Sequence, residues 1–97
     1  MKKNVRGILT WIPLEEGGRK VAVSKGIRYC PIISFSENRE PEEWSADIII
    51  IETDGNKKSV VDLTFLLDNA PFELLQKDVA FRLFEGNKLV ANGVVVE

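Results

Sequence analysis

Apolar residues along this chain recur at every second position rather than every third or fourth, and that period predicts strands. No window of about 11 residues carries a helical spacing, and β-branched residues crowd nearly every apolar run. The first run, Val5 to Ile12, places Val5, Gly7, Leu9 and Trp11 on one face and Arg6, Ile8, Thr10 and Ile12 on the other; the first set is predicted to point inward. Pro13 ends pairing, and Glu15-Glu16-Gly17-Gly18 supplies a turn whose glycines tolerate positive φ. A short strand, Lys20 to Val23, is predicted to follow.

Ile27 to Phe35 is a second extended run, interrupted at Pro31, which cannot donate to a ladder and marks an edge or a bulge. Ser36 to Glu43 is polar and reads as a solvated loop. Trp44 to Glu52 contains the unbroken apolar stretch Ile48 to Ile51, the pattern of a strand covered on both faces, and Asp54-Gly55-Asn56 offers the tight turn of a hairpin. Its return, Ser59 to Leu67, directs Val61, Leu63, Phe65 and Leu67 to one face. Phe72 to Asp78 is ambiguous and has room for one helical turn. Val79, Phe81 and Leu83 then alternate with Ala80, Arg82 and Phe84, Glu85-Gly86-Asn87 turns the chain, and Lys88 to Val96 returns.

Six or seven short strands with turns at this spacing predict an all-β domain, a small closed antiparallel barrel of about six strands, spanning residues 1–97. Leu9, Trp11, Val61, Leu63, Phe65, Phe81 and Leu83 are its expected core. The chain's 97 residues, 44% hydrophobic and 29% charged, suit one modest core. No apolar stretch approaches the roughly 20 residues that span a bilayer, and the start lacks a signal-peptide core, so no membrane and a cytoplasmic location are the expectation. Charge is uneven: seven basic side chains against two acidic through Arg28, a net of +5, then six against thirteen, a net of −7. Such asymmetry suggests opposed surface patches unless the fold scatters them.

Glu15-Glu16-Gly17-Gly18-Arg19, then Gly26-Ile27-Arg28 with Pro31 and Phe35, then Phe81 to Glu85-Gly86 closing on Asn92-Gly93-Val94-Val95, resembles the C-terminal β-barrel, the third domain, of the elongation factor Tu family. The likeness covers nearly the whole chain. It implies a six-stranded antiparallel barrel, here standing alone, from a family in which this domain touches the T stem of aminoacyl-tRNA and packs on a GTPase domain. The family's tRNA-facing positions carry over to Arg19, Lys20, Ile32 and Gly86. Tyr29 and Cys30 are inserted relative to the family pattern, and Ile32 stands where the family has glutamine, which removes an amide from that surface.

Catalytic chemistry has little to work with. The chain has no histidine, which removes the commonest general base and the commonest metal ligand together. Gly17-Gly18-Arg19-Lys20 lacks the spacing of a phosphate cradle, so no nucleotide is expected. Paired carboxylates for acid-base work need one member in a dry pocket, whereas Glu15-Glu16 and Glu42-Glu43 lie in turn-like, hydrophilic surroundings. Cys30, the only cysteine, is expected to be a half-buried hydrophobe. No catalytic, cofactor or metal residue is assigned.

Strict alternation sends Arg82 and Phe84 outward, which makes them, with Trp44, the candidate protein interface. Arg19, Lys20, Arg28, Gly86 and Lys88 are the candidate RNA or anion contacts. The expected function is a non-catalytic binding module with a protein partner. The alternative is a tRNA-like RNA partner, against which stand the pI near 5.2 and the lack of a dense basic stripe.

Overall fold

The computed structural model describes residues 3–18, 23–35, 44–54 and 57–97. It is an all-β structure with strands β1 (Val5–Trp11), β2 (Arg28–Tyr29), β3 (Ile32–Ser34), β4 (Trp44–Asp54), β5 (Lys58–Phe65), β6 (Ala80–Glu85) and β7 (Lys88–Val95). The only helical pieces among the described residues are two 3-10 turns, Leu14–Glu16 and Phe72–Leu74, the second falling within the segment whose sequence pattern was ambiguous. Strands β4, β3, β6, β7, β1 and β5 pair antiparallel in that order, and the β4–β5 hairpin closes the ring into a six-stranded barrel.

Strand β2 stands outside the ring, alongside β4. Arg28 lies across from Ile49 and Tyr29 from Ile48, while Ile32 lies across from Ser45 and Ile33 from Trp44, so β2 and β3 keep one register and form a single run broken at Pro31. The Ala46 N–H donates to the Pro31 carbonyl at 2.8 Å, but proline has no N–H for the reciprocal bond.

Burial follows alternation through most of the barrel. Val5, Leu9 and Trp11 on β1, Val61, Leu63 and Phe65 on β5, and Phe81 and Leu83 on β6 all point inward, joined by Ile33, Ile48, Ile50, Val90 and Val95. The Trp11 indole needs a partner once buried. It donates to Ser59 Oγ at 2.8 Å, and the Ser59 hydroxyl donates on to Thr53 Oγ1 at 3.2 Å.

Four expectations are corrected, and one irregularity for which no expectation was set is added. The Ile48 to Ile51 run is not covered on both faces, because Ile49 is 40% exposed on the outer wall. The strand predicted as Ser59 to Leu67 ends at Phe65, so Leu67, two residues past it, does not share the inner face and is 53% exposed. Cys30 is exposed where the run breaks before Pro31. Strand β7 does not simply alternate, since a bulge between the Leu83–Ala91 and Phe84–Leu89 pairs turns Val90 and Ala91 both inward. Phe84 lies on the outer face as its parity requires, yet it is only 6% exposed. The predicted strand Lys20 to Val23, apart from Val23, and the loop Ser36 to Glu43 lie outside the described residues.

Candidate functional site

One end of the barrel is built around Phe65, the last residue of β5 and fully buried. Three half-buried aromatic rings surround it. Phe72 meets it edge-on with centroids 5.4 Å apart, Phe35 lies 5.9 Å away, and Trp44 approaches edge-on at 6.2 Å. Phe35 also contacts Phe81 at 6.3 Å. Each ring comes from a different place in the chain: Phe35 just past β3, Trp44 from the first position of β4, and Phe72 from the connection between β5 and β6. A cleft of about 370 Å³ opens beside Phe35, lined also by Phe81, Gly93, Ser34 and Arg82.

The β5–β6 connection is long, and it is anchored rather than loose. Leu66 N–H donates to Ser45 O at 2.9 Å, Asp78 N–H to Val95 O at 2.7 Å, and Leu75 and Ala70 are buried. Because Phe72 packs on Phe65, the 3-10 turn sits against the end of β5, where the chain has just emerged. Three leucines are therefore held at this end, Leu66 at 38%, Leu67 at 53% and Leu74 at 39% exposed. Asp78 adopts φ 73, a left-handed conformation that side chains other than glycine, asparagine and aspartate seldom take. A connection of this length with no regular structure beyond one turn is uncommon in a compact domain and is usually functional.

The predicted interface trio divides. Trp44 belongs to the aromatic end and keeps part of its ring in solvent. Phe84 is a correction: it is closed off from solvent, with Arg82 Cζ 5.4 Å from its ring centroid, so it cannot serve as an exposed anchor. Arg82 is half-buried on the outer wall over that ring.

The predicted anion contacts lie elsewhere. Gly86 forms the β6–β7 turn at φ 62, and Lys88 sits across from Glu85 in the same hairpin, at the end of the barrel opposite Phe65. The Tyr29 hydroxyl donates to Glu85 and so sets β2 against that hairpin. Arg28 is gripped by Asp47 through two bonds, Nε to Oδ1 at 2.8 Å and Nη2 to Oδ2 at 3.0 Å. This partner raises the Arg28 pKa above its ordinary value, first through the hydrogen bond and then through charge, so the guanidinium stays charged. Arg19 and Lys20 lie outside the described residues.

Sequence reasoning missed Phe72 and the three leucines as a surface. The available signal was the density of apolar residues in a segment with no strand period. Among the described residues no group of three histidine, cysteine, aspartate or glutamate side chains is placed to hold a metal, and no helix is long and apolar enough to cross a membrane. No family model matches the chain, and no curated protein matches it in sequence.

Proposed function

We propose that this protein is a non-catalytic binding module, built on a barrel like the third domain of elongation factor Tu, that docks another protein through the end of the barrel around Phe65. One observation carries the reading: three partly exposed aromatic rings and three exposed leucines share that end. Aromatic side chains in a partly desolvated patch are the groups on which protein interfaces depend most, whereas lone exposed leucines on a wall are ordinary. The likeness to the translation-factor barrel is supported by the six-stranded closed ring and by the Phe81 to Val95 hairpin. An RNA partner is less well supported, because Arg28 is held by Asp47 and Lys88 faces Glu85.

Proteins retained from nuclease-treated lysate on the immobilised chain test the reading. Trp44→Ala with Leu67→Ser is expected to abolish specific retention, while Ile49→Ser, which removes an exposed apolar residue from the wall, leaves it intact. Retention that vanishes on nuclease treatment, or that survives the first pair of substitutions, overturns the proposal.

A further inference from the structure

Each of the two more prominent leucine positions at the Phe65 end has a carboxylate as its neighbour in the chain: Leu67 is followed by Asp68, and Leu74 is preceded by Glu73. Asp78 closes the same connection and is exposed. Glu97 is brought there as well, since the Arg6 N–H at the start of β1 donates to its carbonyl at 2.7 Å. Two ammonium groups share this end, Lys77 in the connection and Lys3, whose carbonyl accepts from the Thr64 hydroxyl at 2.7 Å. Among the described residues, four carboxylates thus stand against two ammonium groups around an apolar surface, with Arg6 already paired to Asp62 beside Glu97.

An apolar centre rimmed by excess negative charge selects its partner by sign. Like charges brought to the rim by an acidic segment would repel, and desolvating them would add to the cost. A segment that lays leucine-like side chains over Leu67, Leu74 and the Trp44 ring, with lysine or arginine flanking them, satisfies both the centre and the rim.

We infer that the Phe65 end binds a cationic amphipathic segment of the partner protein. This rests on the reading of that end as a docking surface and adds the chemistry of the occupant. Asp78 fits the inference: it keeps a carboxylate on the rim in a backbone conformation that glycine would adopt without a side chain.

The test uses the whole chain, labelled for amide nuclear magnetic resonance, and two synthetic peptides of about 16 residues, enough for four helical turns. One carries leucine on one face and lysine on the other; its match has glutamate for lysine. The leucine/lysine peptide is expected to give saturable shifts centred on residues 66–78. Leu67→Ser with Leu74→Ser should remove them. Glu73→Gln with Asp78→Asn should weaken binding about fivefold, the scale of two exposed ion pairs, and asparagine keeps the tolerance for positive φ.

Equal affinity for the two peptides at residues 66–78 overturns the cationic partner while leaving this end a docking surface. No saturable shift with the leucine/lysine peptide, or shifts confined to the strand walls, overturns the inference as well. Failure of the docking surface itself is read separately, in the retention experiment with Trp44→Ala and Leu67→Ser.

Discussion

Two adjacent glycines after β1 look equivalent in the sequence, yet the structure holds them for different reasons. Gly17 has φ 91, and a Cβ built there meets nothing within 4 Å, so its requirement is conformational. At Gly18 φ is not positive, but a Cβ would lie 1.8 Å from Ile12 O and 2.4 Å from Ile12 C. Those are backbone atoms of the segment just after β1 and cannot swing aside as a side-chain tip would. Both N–H groups are also committed, Gly17 to Leu14 O at 2.9 Å and Gly18 to Pro13 O at 2.9 Å, which fixes the approach. Gly17→Ala is therefore expected to cost about 1 kcal/mol, the left-handed penalty. Gly18→Ala should cost more, about 1 to 3 kcal/mol as an overpacked site, and urea unfolding of the two variants measures the order. A turn read from glycine content allows positive φ at both residues, whereas only Gly17 uses it, and it has no access to the requirement at Gly18, because close approach is a property of two segments.

At the level of strands, period two was sufficient to find the barrel, and it placed Leu9 and Leu63 correctly because each lies inside a strand with regular pairing on both sides. It fails where pairing is irregular or ends. Val90 and Ala91 share a face because of the bulge, and Leu67 leaves the inner face because β5 has already stopped. Ile49 shows a different limit: four consecutive isoleucine residues give no sign of which faces have cover.

Phe84 is the reverse case. Alternation gave its side of β6, but nothing in the strand itself reports what lies over that side. The consequence is that Phe84 is a stability residue. Phe84→Ala is expected to lower unfolding stability by about 3 kcal/mol, near the lower end for a buried phenylalanine, and to lower the urea midpoint accordingly. An unchanged midpoint would return Phe84 to the surface. The candidate site shares this limit, since Trp44 was recognisable as a lone large aromatic next to a polar loop, whereas Phe72 joins it only through its long-range contact with Phe65.

On the scale of the whole molecule, closing the sheet folds the charge asymmetry of the sequence back on itself. Arg6 pairs with Asp62 at 3.3 Å, Lys25 with Glu52 at 2.8 Å and Arg28 with Asp47 at 2.8 Å. In every case a cation from the basic first part of the chain meets an acid from the acidic remainder. These exposed pairs add little stability, but they divide the basic surface into neutralised couples. Polyanion binding depends on cations that release counterions from several phosphates at once, and six such contacts would make affinity fall about a thousandfold between 50 and 200 mM salt. Arg6 and Arg28, already bonded to carboxylates, must break those bonds before they can make that exchange. Binding to tRNA, followed by fluorescence anisotropy, is therefore expected to show no saturable affinity at 150 mM salt, and substituting Arg28→Glu should change nothing. Retention of the protein partner, dominated by apolar contact at the Phe65 end with a few charges on its rim, is expected to persist from 50 to 200 mM. Tight tRNA binding at 150 mM salt that Arg28→Glu abolishes would reverse the assignment, since it would show that Asp47 releases its partner to a phosphate.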